Sequence, residues 1–160
     1  LISHPSGIQK FEFADFNYYS DLVSAIKKSK KENKPILVEF TCYACLADRN
    51  YEDRIFRSRT VLEKIKCEYV FVRLFVDDRS PFNEAEIYFG NKKAKYFGQI
   101  WVRFQQEKVS NVSQPYFALF DSELNIISSE FQNFYLRDPG DFLFWLEGEQ
   151  INFSKSKFKH

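Results

Sequence analysis

Two runs, Ile36-Leu37-Val38-Glu39-Phe40 and Tyr69-Val70-Phe71-Val72-Arg73-Leu74-Phe75-Val76, are apolar at nearly every position and rich in β-branched and aromatic residues. A short run without polar alternation reads as a strand covered on both faces of a sheet, which demands helices above and below it. Between the runs the periodicity turns helical. Cys45 to about Arg57 offers Leu46, Tyr51, Ile55 and Phe56 to a buried face, and a second short helix, Thr60 to Lys66, follows Ser58. The pair of strands with its helical connection is a crossover unit, and Glu39 stands out as the one ionisable member of the first run.

The rest of the chain fits around this unit. Residues 1–10, with Pro5 and Gly7, read as a flexible lead-in or linker, and a short strand is expected from Lys10 to Phe16. Ser20 or Asp21 can cap a helix whose apolar positions are Leu22, Val23, Ala25 and Ile26. Lys27 to Lys31 place cations in its last turn, and Asn33 with Pro35 ends it. After Asp77-Asp78 an insertion, about 79–97, is expected to hold a hairpin turned at Gly90-Asn91. A helix from about Gln99 carries Trp101 and Phe104. Strands follow at Tyr116–Phe120 and Asn125–Ser129, then a closing helix from Pro139 to about Glu149 and a tail over 151–160. The expectation is one α/β domain over about 11–150, with a central mixed β-sheet flanked by helices and an inserted β-hairpin.

Charge and composition narrow the function classes. With 23 Lys plus Arg against 22 Asp plus Glu the net charge is +1, which supplies no general attraction to nucleic acid, and none is expected as a partner. No apolar run approaches the roughly 20 residues that span a bilayer. The chain opens at Leu1 and contains no Met, as a mature form or excised fragment would, so a targeting or membrane segment upstream is compatible with it.

Cys42-Tyr43-Ala44-Cys45 falls between the first buried strand and a helix start. A thiol there feels the positive end of the helix dipole and unpaired backbone N–H groups, which favour thiolate. Two intervening residues also let the sulfurs come within disulfide range. Two inert cysteines or half of a zinc site are the competing readings. Zinc would need two further ligands, yet His4 and His160 lie at the chain ends, so no metal is expected. Cys67, between Lys66 and Glu68, reads as a solitary thiol.

The acid closing the buried strand, the cysteine-bearing loop and helix, the long second strand, and Gln114-Pro115 opening the next one resemble a thioredoxin fold. More narrowly, Lys34-Pro35-Ile36-Leu37-Val38-Glu39-Phe40-Thr41, the strand ending Val76-Asp77-Asp78, Trp101 to Gln105 and Gln114-Pro115-Tyr116 resemble the C-terminal periplasmic domain of the DsbD family of thiol:disulfide interchange proteins. The bacteroidete-type version, with an insertion before Trp101, is the nearer likeness, over about Phe11 to Glu149. The resemblance implies dithiol-disulfide exchange without a cofactor. It also implies thiol- or disulfide-bearing protein partners, an electron-transferring membrane domain upstream, and a periplasmic or otherwise exported location with an inner-membrane tether.

The family's register and the visible C-x-x-C do not coincide. The family's first active cysteine lies six residues after the strand acid, which here is Cys45; its second would fall at Asp48, while Arg49 and Glu52 match the residues that follow. Cys42 occupies a loop position that is usually small. Two readings stay open. Either Cys45 attacks and Cys42 resolves from the upstream side, or the resolving thiol is lost and the domain is a redox-impaired module that binds proteins or peptides. Asp48 would favour the helix start but oppose thiolate at Cys45. By resemblance Glu39 shuttles a proton to or from the resolving thiol, Pro115 is the cis-proline facing the cysteines, and Gln114 offers backbone to a bound peptide strand. Tyr43, between the cysteines, would shield or gate them.

Overall fold

In the computed structural model, which describes residues 3–81, 88–89, 92–128 and 138–157, the two apolar runs become β3 (Ile36–Thr41) and β4 (Val70–Phe75), paired in parallel from Ile36↔Val70 to Thr41↔Phe75. All twelve positions are buried, as expected of strands covered on both faces. Four further strands complete a six-stranded sheet in the order β1-β2-β4-β3-β7-β8: β1 (Ile8–Lys10), β2 (Asn17–Tyr19), β7 (Tyr116–Phe120) and β8 (Ile126–Ser128). β2 is parallel to β4, whereas β7 runs antiparallel to β3 and β8 antiparallel to β7, so the sheet is mixed.

Among the described residues, five helices cover it. α1 (Leu22–Glu32) starts at Asp21, whose carboxylate accepts from Ser24 N at 2.9 Å, and stops at Asn33 in the left-handed region, φ 56°. α1 and α4 (Phe97–Val109) pack on one face against Val38, Phe40, Val72 and Ala118. α2 (Leu46–Phe56), α3 (Arg59–Glu68) and α5 (Pro139–Lys157) lie over the other, against Leu37, Phe71, Phe117 and Leu119. Strand alternation decides which residue joins which layer. Val38 and Phe40 therefore enter the first core, while Leu37, Glu39 and Thr41 face α2.

Several expectations are corrected. The lead-in over 1–10 is not a loose linker among its described residues: Ile8–Lys10 pairs with β2, and His4 is buried with its Nε2 donating to Asp78 Oδ2 at 2.7 Å. The strand expected at Lys10–Phe16 is instead the turn between β1 and β2. Phe11 is buried there, so its apolar character serves packing rather than strand alternation. Leu46, expected inside, is 74% exposed, because α2 buries the side carrying Tyr51, Ile55 and Phe56. The tail from residue 151 continues α5 to Lys157, with Phe153 buried. In the insertion, β5 (Tyr88–Phe89) pairs antiparallel with β6 (Lys92–Lys93); 82–87 and the turn at Gly90-Asn91 lie outside the described residues, as does Ser129.

Candidate functional site

β3 ends at Thr41, and the next three residues carry the chain to Cys45, which stands at the N-cap of α2. Cys42 and Cys45 are joined in a disulfide with their Cα atoms 5.4 Å apart. The two sulfurs are not equivalent in access. Cys42 is 3% exposed, whereas Cys45 is half-buried at the mouth of the helix, so an incoming sulfur meets Cys45 first. The loop is held from β4's end: Asp77 accepts from Tyr43 N at 2.8 Å and from Ala44 N at 3.0 Å. Tyr43 lays its ring on Phe75, centroids 3.8 Å apart and nearly parallel, yet remains 59% exposed. Its ring thereby covers Phe75.

Asp48, in the first turn of α2, is buried and turns its Oδ2 back to the loop. That atom accepts from Thr41 Oγ1 at 2.9 Å and Cys42 N at 3.2 Å, and it lies 3.5 Å from Cys42 Sγ. Burial raises the carboxyl above the ordinary aspartate range, against the lowering effect of those two hydrogen bonds. Asp48 is close to Cys45, as the sequence placed it, since one of its oxygens lies within 4.8 Å of both sulfurs, and its hydrogen-bond partners are Thr41 and Cys42.

Glu39 is fully buried on the α2 side of the sheet, directly opposite Arg73 in the parallel register. Arg73 Nε donates to Glu39 Oε2 at 2.8 Å, and its Nη1 reaches Glu12 at 2.9 Å. Glu52 of α2 pairs with Arg73 at 3.1 Å and with Arg49 at 2.7 Å. Burial holds Glu39 well above the usual carboxylate range, opposed by the Arg73 guanidinium and reinforced by Glu52. The ring faces of Phe11, Tyr18 and Phe75 surround the guanidinium within 5.1 to 5.4 Å. Arg73 is thus the centre of an ion cluster whose importance sequence reading missed. The available signal was a lone arginine in an apolar strand.

The Gln114–Pro115 bond is cis. β7 begins immediately after it, and its Tyr116↔Phe40 pairing sets the cis bond beside the strand end that leads into Cys42. The Gln114 side chain turns away to its own loop, donating to Gln105 Oε1 at 3.0 Å and Val112 O at 2.7 Å. Cys67 is a free, exposed thiol on α3.

The Cys42 and Cys45 sulfurs and an Asp48 oxygen lie within 4.8 Å of one another, a donor set of three; two of the three are bonded to each other and present no thiolate. A cavity of about 350 Å³ lies elsewhere, lined by Tyr19, Lys28, Lys66 and Phe71 among others. Val70 in its wall opens β4, whereas the disulfide follows the far end of β3, so the cavity is not where the sulfur chemistry lies.

A mixed sheet of this order, a disulfide at the mouth of the helix that follows its central strand β3 and a cis-proline opening the neighbouring antiparallel strand define a thioredoxin-like fold. No family model matches the chain, and no curated protein matches it. Among solved structures it is similar to one described as a DsbH oxidoreductase, with a TM-score of 0.59 and 14% identity over 94% of this chain and 91% of that one. A structure described as a disulphide isomerase from Xylella fastidiosa Temecula1 scores 0.46 at 15% identity, over 85% and 88% of the two chains.

Proposed function

We propose that the domain is a thiol-disulfide oxidoreductase in which Cys45 exchanges with the partner's sulfur and Cys42 resolves. The observation that carries this reading is the Cys42–Cys45 disulfide itself, with the accessible sulfur at a helix N-terminus and the shielded one behind it. A helix N-terminus favours a thiolate at Cys45, the form that attacks or leaves. Pro115 shapes the face a partner peptide meets, with the backbone of Gln114 as its contact by strand addition. Tyr43 borders that face. Glu39 lies behind the loop in the Arg73 ion cluster, shifted toward its protonated form by burial.

The partners are proteins bearing thiols or disulfides, and the direction we assign is reduction of exported proteins. Electrons would come from a membrane domain upstream, as in the DsbD-type proteins that the residues around Glu39, Trp101 and Pro115 resemble.

The test equilibrates the purified domain in thiol-disulfide buffers of graded potential, traps free thiols by alkylation and maps each cysteine by peptide mass spectrometry. A Cys42–Cys45 bridge that forms and opens reversibly while Cys67 stays free is the expected result. Free thiols at both positions in every buffer would leave the thioredoxin-like scaffold as a protein- or peptide-binding module instead.

A further inference from the structure

Resting on the reading of Cys42 and Cys45 as a redox couple, we propose that Asp48 is the catalytic acid-base residue of Cys42. Its carboxyl gives a proton to the Cys42 sulfur when the bridge opens and takes it back when the bridge closes.

Hydrogen-bond counting around Thr41 carries the argument. Its hydroxyl has one proton and two acceptor sites. Arg49 Nη2 donates to Thr41 Oγ1 at 2.6 Å and fills one site. Two carboxyl oxygens also lie on Oγ1, Asp48 Oδ2 at 2.9 Å and Glu52 Oε1 at 3.0 Å, and Thr41 can donate to only one of them. The arrangement closes without a repulsive contact when one carboxyl carries a proton and donates it to the remaining site. Glu52 holds the ion pairs to Arg49 and Arg73, so the shared proton falls to Asp48. Burial of Asp48 acts in the same direction. The charged neighbours facing Asp48 are Arg49 and Glu52 from its own helix; β3 and the loop present Thr41 and Cys42.

The same oxygen lies 3.5 Å from the sulfur of Cys42, a residue only 3% exposed. When a partner thiolate attacks Cys45 Sγ, a new sulfur–sulfur bond forms to the partner and the Cys42–Cys45 bond breaks. The electron pair goes to Cys42, and the Asp48 proton neutralises it. In reverse, Asp48 carboxylate removes the Cys42 proton, Cys42 attacks Cys45 Sγ, and the partner leaves as thiolate. The protein dithiol is then oxidised to its disulfide while the partner disulfide is reduced.

The two steps separate in time with a nitrothiobenzoate disulfide as probe, mixed in equimolar amount with the reduced Cys67→Ser chain. Attack by Cys45 releases the first chromophore, and attack by Cys42 on the mixed disulfide releases the second. With Asp48 as base, the second phase is expected to be flat between the titration of the Asp48 carboxyl and that of the Cys42 thiol, because the proton passes from one to the other within the chain. In Asp48→Asn it should be at least about tenfold slower at the acid end and climb about tenfold per pH unit, as the thiolate fraction does. A tenfold climb per unit in the chain that retains Asp48 overturns the proposal and needs no foldable variant. So does a plateau that survives in Asp48→Asn. Absence of any second phase defeats the redox couple itself, a different result from either.

Discussion

Arg73 is the side chain on which the buried polar layer depends. It is 1% exposed, yet three carboxylates converge on it, from β3, from α2 and from the segment before β2. Burial alone works against its charge, and the three carboxylates raise its affinity for the proton above that of a free guanidinium. Removing it would leave Glu39 and Glu52 facing each other in the interior with no cation between them. We expect Arg73→Leu to cost about 3–5 kcal/mol in a urea titration, the range for breaking a buried pair by deleting one partner. A loss below about 1 kcal/mol would mean that the carboxyls simply take up protons. Glu39 was legible as an anomaly in an apolar run, and Asp48 as a residue where a cysteine was expected. Their partners were not: the hydrogen bond from Arg73 joins residues 34 positions apart and exists only once β3 and β4 are in register.

At the scale of elements, α2 and α4 dock by different means. α2 takes its position from the polar contacts of Thr41, Asp48 and Glu52 as much as from Tyr51, Ile55 and Phe56. Its cap, Cys45, makes no side-chain cap hydrogen bond, which leaves that sulfur to the disulfide. α4 instead presses its first turn onto the chain leaving β4, where Gly98 N donates to Asp78 O at 3.0 Å. A Cβ at position 98 would run into the Val76 carbonyl oxygen and stand 2.8 and 2.9 Å from Asp78 N and O. Because those atoms are backbone, relief requires moving the helix. Gly98→Ala should lower stability by about 1–3 kcal/mol, as overpacking does, read as a shift of the urea midpoint without a change in slope. Helix existence was readable throughout from capping residues and apolar spacing. The bounds of α2 were readable to within a residue, but the exposure of Leu46 was not, since the periodicity of α2 is diluted by the polar residues that face the ion cluster.

For the molecule as a whole, residues 3–10 belong to the fold. β1 forms the sheet edge beside β2, Ser20 N donates to Gly7 O at 2.8 Å, and His4 docks between Asp78 and the ring of Phe97, 4.4 Å from centroid to centroid. The chain start is thereby tied to the loop after β4, whose other aspartate, Asp77, holds the cysteine loop. Deleting residues 1–10 should lower the melting temperature by several degrees, on the order of 2–4 °C for each kcal/mol lost in a chain of about this size. It should also loosen the cysteine loop, read as faster amide exchange at Tyr43 and Ala44. Unchanged exchange with a lower melting point would confine the effect to the sheet edge.

The sequence by itself determined the architecture: two strands apolar on both faces, helices at the right spacing to cover them, and a cysteine pair at the turn into one of those helices. These follow from local pattern, because periodicity and capping act over a few residues. Tertiary structure alone decided which groups meet. It placed Arg73 opposite Glu39, gave Asp48 to Cys42, set the cis bond beside the loop and drew His4 to Asp78. The Glu39–Arg73 pairing depends on strand register, since a shift of one residue in β3 or β4 would turn one of the two to the opposite layer, and the others depend on where loops and helices meet in three dimensions.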